Sequence, residues 1–219
     1  MNKPARTVEW LVWSALALTI LGVFATFAWK RISARTSRED LPVLFQVPDF
    51  TLTNQNEGTV TLADLRGYVW LVDVIFTRCG GPCPGMTRKM SEIQTKLPPS
   101  APVKLISLTT DPEYDAPAVL KRYSQRFGAQ PGRWQFLTGT KAQISDLAVG
   151  GLKFTAIEKE PGTRESSEDL FIHSTTIVLV DARGRMRASF ETEQPDSPQK
   201  ILSAVKRLLR ESKAGVRNG

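Results

Sequence analysis

Residues 68–86 read YVWLVDVIFTRCGGPCPGM, and this stretch decides the fold. Its first nine residues form a nearly continuous apolar run of strand-forming types, which is typical of a strand covered on both faces. Pro84 suits the first turn of a helix, where a missing N–H has no partner to lose. The stretch therefore predicts a central strand, a short loop and a helix, with both cysteines of the chain, Cys79 and Cys83, at the junction.

Further elements follow on the C-terminal side. Residues 103–110 (VKLISLTT) predict a second buried strand, followed by an amphipathic helix. Residues 174–191 predict a β-hairpin that turns at Gly184, and Ser197 begins a final helix. This order predicts an α/β sandwich with a mixed central sheet, parallel in its first half and antiparallel in its last.

Three smaller features complete the pattern. Residues 60–65 predict a short strand and a turn, and Phe136 with Leu137 begins another short element. Residues 162–169 (GTRESSED) predict an acidic, flexible insertion. Met86 and Met90 recur at helical spacing, so the sequence predicts that they pack in the core and do not bind a ligand.

The N-terminal region predicts one transmembrane anchor. Residues 10–29 carry no charge, and 20 residues match the ~20 that a helix needs to cross the hydrocarbon of a bilayer. This run is longer than the apolar core of a cleavable signal, which spans roughly 7–15 residues. The predicted organisation is an N-terminal flank (1–9), the anchor (10–29), a linker (30–42), an α/β domain (43–210) and a basic tail (211–219).

The charge distribution argues against nucleic-acid binding. The net charge is +7, but residues 41–205 carry eighteen basic and eighteen acidic side chains, so the excess lies at the two ends. A neutral domain lacks the basic face that phosphate binding requires. The basic residues after the anchor, at positions 30, 31, 35 and 38, favour a cytoplasmic domain by the positive-inside rule.

The two thiols have three interpretations: a structural disulfide, a redox pair or a pair of metal ligands. A disulfide across five residues closes so small a loop that it stabilises little. The end of a central strand and the start of a helix are where α/β folds place their sites, and a helix N-terminus lowers the pKa of a thiol. Two sulfurs at i and i+4 also suit a low-coordinate Cu(I) ion, which soft thiolates select.

Three acidic residues near the cysteines have functional and structural interpretations. Asp73 lies in the middle of the predicted strand. It is either a buried acid, whose pKa is raised and which exchanges a proton with a thiol, or a residue that reaches solvent at a sheet edge. Asp111 either forms an Asp-Pro turn or influences copper transfer or partner contact. Asp115 likewise is either the N-cap of the next helix or a residue that influences copper transfer or partner contact.

Four motifs in the same order resemble the Sco/SenC family of membrane-anchored copper-binding proteins, within the thioredoxin superfamily. They lie at residues 47–67, 76–84 (FTRCGGPCP), 105–117 (LISLTTDPEYDAP) and 171–184 (FIHSTTIVLVDARG), and the resemblance covers about residues 43–210. The sequence departs from the family in having Gly-Gly-Pro between the cysteines and Thr109 where Val is common.

The resemblance implies a thioredoxin-like fold and a copper site made by Cys79, Cys83 and His173, the only histidine of the chain. It implies delivery of copper to the dicopper site of cytochrome c oxidase, with that subunit or another copper protein as partner. It also implies that the domain lies outside the cytoplasm, against the preference of the flanking charges. The absence of an Arg-rich amphipathic transit peptide favours a bacterial source, which predicts a single-pass protein of the inner membrane with its domain in the periplasm.

The sequence fits both a binding protein and an enzyme. The alternative is a thiol-disulfide oxidoreductase in which Cys79 attacks, Cys83 resolves and Asp73 exchanges the proton. Thiol exchange does not require His173, whereas three-coordinate copper does. A peroxidase is disfavoured, because Thr77 lies one residue too near Cys79 for the pattern of those enzymes.

Overall fold

The computed structural model of the protein describes residues 5–36, 41–155, 157–158, 171–172 and 174–217. The chain divides into two compact units, Met1–Asp40 and Leu41–Gly219. The first unit contains helix α1, Ala5–Thr36. Within it, Glu9–Phe27 has a mean hydropathy of 1.9 and is long and apolar enough to cross a membrane. The helix continues to Thr36, so the first part of the predicted linker is helical.

The second unit is built on a curled sheet. Among the described residues, eight strands form it in the order β1-β10-β9-β4-β5-β6-β2-β3. The strands are β1 (Phe45–Gln46), β2 (Thr51–Asn54), β3 (Thr59–Thr61), β4 (Val69–Ile75), β5 (Val103–Thr109), β6 (Trp134–Thr138), β9 (Thr176–Val180) and β10 (Arg185–Glu191). Strands β4, β5 and β6 are parallel, and β9 is antiparallel to β4. The predicted mixed sheet is confirmed.

Helices cover both faces of the sheet. They are α2 (Leu62–Leu65), α3 (Cys83–Lys96), α4 (Pro117–Arg126), α5 (Lys141–Ser145), a π-helical turn (Asp146–Gly151) and α6 (Ser197–Arg217). Helices α3, α4 and α6 pack on one face, and α2, α5 and the π-helical turn pack on the other. Pro84 lies in the first turn of α3, as predicted.

Strand β4 is the centre of the molecule, and all seven of its residues are buried. Its side chains alternate between two cores: Leu71 and Ile75 face α3, α4 and α6, while Trp70 and Val72 face the opposite layer. Alternation places Asp73 on the same face as Leu71 and Ile75. The predicted strand covered on both faces is confirmed.

Two hairpins complete the sheet. The β9–β10 hairpin turns at Gly184, which has a φ of +77° that favours glycine, and the β2–β3 hairpin lies at the far edge. Helix α6 closes the core that it shares with α3 and α4 by placing Ile201 and Val205 against the sheet. A second sheet of two strands, β7 (Ile157–Glu158) and β8 (Phe171–Ile172), is antiparallel.

Some local predictions differ from the structure. The turn predicted after residue 60 is the helical turn α2, capped by the Thr61 side chain and the Asp64 carboxylate. Phe136 and Leu137 lie inside strand β6, and the π-helical turn was not predicted. The insertion predicted at residues 162–169 lies outside the described residues.

Candidate metal centre

The two cysteines lie where strand β4 ends and helix α3 begins. Cys83 is the first residue of α3, and the Cys79 N–H donates to the Phe76 carbonyl at 3.2 Å. Both side chains are buried, with exposed fractions of 7% for Cys79 and 2% for Cys83, and they are thiols, not a disulfide. Strand β4 and the start of α3 thus hold two sulfur atoms just beneath the surface of the domain.

The two thiols have opposite acidity. The hydrogen bond donated by the Cys83 thiol lowers the pKa of Cys79 to about 6, assisted by the backbone N–H groups of Cys83 and Gly81. The same hydrogen bond and burial raise the pKa of Cys83 well above its ordinary value, and the charges of Cys79 and Asp73 add to the effect. At neutral pH the pair therefore consists of a Cys79 thiolate and a Cys83 thiol that donates to it.

Asp73 is a buried acid of the central strand, with no exposed surface. Neither carboxyl oxygen has a hydrogen-bond partner of normal geometry among the described residues. The Ser107 hydroxyl opposite it on β5 accepts from Trp134 Nε1 at 3.0 Å and offsets only part of the cost of burial. Burial raises the pKa of Asp73 to about 7. The alternative that Asp73 reaches solvent at a sheet edge is excluded.

A buried hydroxyl pair lies under the cysteines and was not singled out from the sequence. The Thr87 hydroxyl donates to the Cys83 carbonyl at 2.8 Å and lies 3.1 Å from the Tyr123 hydroxyl. Burial raises the pKa of Tyr123, and the charges of Cys83 and Asp73 contribute. The sequence signal was a polar side chain on the apolar face of each of two helices, which packing alone does not explain.

Asp115 does not cap helix α4, because the N-cap residue is Ala116. The buried Asp115 carboxylate instead accepts from the Thr77 N–H at 3.0 Å, from the Thr77 hydroxyl, and from the Thr109 hydroxyl at 2.5 Å. Burial raises its pKa against the effect of these hydrogen bonds. Asp115 therefore joins the β5–α4 loop to the residues just before Cys79.

A second connection between the same two loops lies at the surface. Asp111 accepts from Arg78 Nη2 at 2.6 Å, and the Arg78 guanidinium lies 4.1 Å from the centroid of the Tyr114 ring. Asp111 also makes the predicted turn, in which its carbonyl accepts from the Asp115 N–H. Asp111 and Asp115 thus brace the Cys79 loop.

His173 lies outside the described residues. It follows strand β8 in the chain and precedes Ser174, whose hydroxyl lies 2.7 Å from the Thr176 hydroxyl at the start of β9. In the part of the chain that the structure describes, no cluster of three His, Cys, Asp or Glu side chains is suited to a metal ion. Met86 and Met90 are buried in the core, as predicted.

Most of the chain is similar in sequence to known proteins. The SCO1/SenC family model matches residues 42–210. The SCO1 protein homolog of Bacillus subtilis (strain 168) is 35% identical over 167 residues, covering 75% of this chain and 83% of that protein.

Solved structures give the same assignment. BsSco, described as a Sco-family cytochrome c oxidase assembly protein with a disulfide switch, is 34% identical with a TM-score of 0.64, covering 77% of this chain and 96% of that chain. ScoI of Bradyrhizobium japonicum, solved with copper bound, is 26% identical with a TM-score of 0.63, covering 74% and 99%. The predicted thioredoxin-like fold is confirmed, and the chain belongs to the SCO1/SenC family.

Proposed function

We propose that this chain carries one Cu(I) ion on Cys79 and Cys83, with His173 as the third ligand, and delivers it to the copper-site subunit of cytochrome c oxidase. The observation that carries the proposal is the direct hydrogen bond between the two thiols at the end of β4. Because the two sulfur atoms are already joined by a hydrogen bond, they need little rearrangement to bind one metal ion together.

The chemistry of the donors fits Cu(I) better than other ions. Cys79 supplies a thiolate near pH 7, and Cu(I) binding displaces the proton of Cys83, so both soft ligands become anionic. A structural Zn²⁺ site takes four protein ligands, which this chain does not supply in a recognisable pattern. The role of His173 rests on its place in the motif shared with the family, and copper-bound ScoI supports the choice of metal.

An anaerobic Cu(I) titration of the reduced protein against a competing chelator tests the ligand set. The parent should bind one Cu(I) per chain, and Cys79→Ser or Cys83→Ser should abolish tight binding because each removes an anionic ligand. His173→Ala should weaken binding without abolishing it. Met86→Leu is the matched control, because it removes a buried sulfur of helix α3 that the proposal does not use.

X-ray absorption separates the histidine from the sulfurs. The parent should show two sulfur neighbours and one nitrogen around copper, and His173→Ala should lose the nitrogen. A sulfur-only parent spectrum, or an unchanged affinity in His173→Ala, contradicts the three-ligand site.

Delivery to the oxidase also requires a particular location. We place helix α1 in the bacterial inner membrane and the Leu41–Gly219 unit in the periplasm, on family membership and against the flanking charges. A reporter that is active only outside the cytoplasm, fused after Gly219, should be active. Activity of a cytoplasmic reporter instead contradicts the location and with it the delivery role.

The site also favours a second function, reduction of a disulfide in the target protein. The Cys79 thiolate attacks the target disulfide, and one target sulfur leaves as a thiolate. Cys83 then attacks the Cys79 sulfur of the mixed disulfide, which releases the second target thiol. This leaves a Cys79–Cys83 disulfide, which a dithiol reductant must reduce before the next cycle. The unequal acidity of the thiols supports this order of attack.

In this second function Asp73 accepts the proton of Cys83. The negative charge of Asp73 already raises the pKa of Cys83, so the two groups interact electrostatically. Asp73→Asn should slow disulfide reduction and leave the Cu(I) stoichiometry unchanged. Equal reduction rates for the variant and the parent from about pH 6 to about pH 9 remove Asp73 from the reaction.

A further inference from the structure

We propose that the Leu41–Gly219 unit rests on an anionic lipid bilayer through the end of its sheet that lies farthest from the cysteines. This surface, the amino end, is the edge where the parallel strands begin, at Val69 of β4, Val103 of β5 and Trp134 of β6. The cysteines follow the opposite, carboxyl end of β4. The proposal is independent of which metal the thiols bind.

The first residues of the domain lead to the amino end through strand β1. Strand β1 pairs with β10 and, through it, with β9 and β4, so that Phe45 lies level with Trp70 near the start of β4. Arg187 fixes the entry point, because its Nε donates to the carbonyls of Leu41 at 2.9 Å and Pro42 at 3.1 Å. Leu41 and Pro42 are therefore held against β10, and β1 continues from there to the amino end.

The connection to helix α1 is short. Helix α1 ends at Thr36 and the domain begins at Leu41, so that five Cα–Cα steps of 3.8 Å allow at most about 19 Å between them. A tether of this length keeps a weak lipid-binding surface at an effective concentration in the millimolar range. Even a few kcal/mol of attraction then suffices to keep the surface on the bilayer.

An exposed apolar segment leads to the amino end. Val43, Leu44 and Phe45 have exposed fractions of 51%, 43% and 46%. Single exposed apolar side chains are normal, but these three are consecutive. Among the described residues of the Leu41–Gly219 unit, large hydrophobic side chains of comparable exposure are otherwise only Tyr114 and Val149. The unit thus concentrates its exposed apolar surface next to its tether.

Cations lie at the same end of the domain. Lys153 Nζ lies 5.1 Å from the centroid of the Phe45 ring, and Gln46 on β1 donates to the carbonyl of Arg183 in the β9–β10 turn. The cations of this end that are at least partly exposed are Arg66, Lys104, Lys153, Arg183 and Arg210. Each Lys or Arg near an anionic surface contributes about 1 kcal/mol.

Two acidic groups of the amino end are neutralised within the protein. Asp181 is paired with Arg185 and Arg187, and Glu211 is paired with Arg187 at 2.9 Å. Two others are exposed: Asp64, which caps helix α2 with Thr61, and Asp49, which follows β1; the five exposed or partly exposed cations outnumber them. The surplus of positive charge therefore faces outward, where it complements a phospholipid headgroup layer.

This docking has a consequence for the thiols. The seven residues of β4 span about 23 Å at ~3.3 Å per residue, so a domain resting on its amino end holds Cys79 roughly that far from the lipid. The Cys79 loop then faces the aqueous side, where an extramembrane domain of a partner protein can reach it.

Hydrogen-exchange mass spectrometry of the full-length chain in nanodiscs tests the proposal. The two lipid compositions are phosphatidylcholine alone and phosphatidylcholine with phosphatidylglycerol. Peptides covering residues 41–50 and the β9–β10 turn should exchange several-fold more slowly in the anionic nanodiscs, and high salt should remove the difference. Peptides of the Cys79 loop should exchange equally in both. Equal exchange of residues 41–50 in the two lipids overturns the proposal.

Two pairs of variants separate docking from a change in folding. Val43→Ser with Phe45→Ser, or Arg66→Gln with Arg183→Gln, should abolish the lipid-dependent protection. The control with the same charge change is Lys121→Gln with Arg122→Gln, two exposed cations of helix α4, and it should keep the protection. Protection that survives both amino-end variants, or that is lost equally in the control, overturns the assignment of the surface.

Discussion

Replacement of Asp73 by Asn should stabilise the domain, and the gain should depend on pH. The Asp73 carboxyl group is fully buried, and its pKa is raised from 3.8 to about 7 because burial penalises the charged form. Between these two values the native state binds more protons than the unfolded state. The unfolding free energy of the parent therefore falls as the pH rises from about 4 to about 7. A shift of about 3 units at about 1.4 kcal/mol per unit corresponds to about 4 kcal/mol.

Asn has nearly the same shape as Asp and no charge to bury, so Asp73→Asn removes this cost. The variant should be more stable than the parent by about 4 kcal/mol above pH 7, and this difference should vanish near pH 4. The gain corresponds to a Tm increase of roughly 10 °C for a domain of this size.

Urea unfolding of residues 41–219, kept reduced and followed by near-ultraviolet circular dichroism between about pH 4 and pH 8, measures the difference. Asp49→Asn is the matched control, because it makes the same substitution at an exposed carboxylate and should change the unfolding free energy by less than about 0.5 kcal/mol. A difference between Asp73→Asn and the parent that does not vary with pH, or a less stable variant at pH 8, refutes the reasoning.

Three further outcomes follow from the same site. Iodoacetamide should alkylate Cys79 with a midpoint near pH 6, and Cys83→Ala should move that midpoint upward because the donated hydrogen bond is lost. Asp115→Ala should lower the unfolding free energy in urea by about 3 kcal/mol, because it leaves buried donors of the Cys79 loop without an acceptor. Asp111→Ala should cost only about 1 kcal/mol in the same assay, because its partner Arg78 is partly exposed and can turn to water.

Much of the fold could be predicted because its signals are local. The apolar run of β4 indicated a strand with two buried faces, Pro84 indicated the start of α3, and Gly184 indicated the last hairpin. The two cysteines were expected at the same junction for the same reason. A strand end and a helix start that are consecutive in the chain must meet in space, so no distant contact was needed to place Cys79 near Cys83.

The role of Asp115 could not be predicted in this way. An acidic residue just before a helix matches the pattern of an N-cap, and the sequence alone offered no competing partner. Strands β4 and β5 are neighbours in the sheet, however, and their ends bring Thr77 and Thr109 to the carboxylate. The N–H and hydroxyl of Thr77 and the hydroxyl of Thr109 give the carboxylate three donors, whereas a helix end offers it a single N–H.

By itself the sequence determined the main strands and helices, because side-chain periodicity and turn chemistry act over a few neighbouring residues. The acidity of Asp73, Cys79 and Cys83 was decided only by the tertiary structure, since a pKa depends on burial and on the groups that surround a side chain in space. The strand order likewise decided that β1 lies level with the start of β4. Residues 45 and 70 are not in contact, because strands β10 and β9 lie between them in the sheet. Sheet pairing joins segments that are far apart in the chain, and no local pattern encodes that choice.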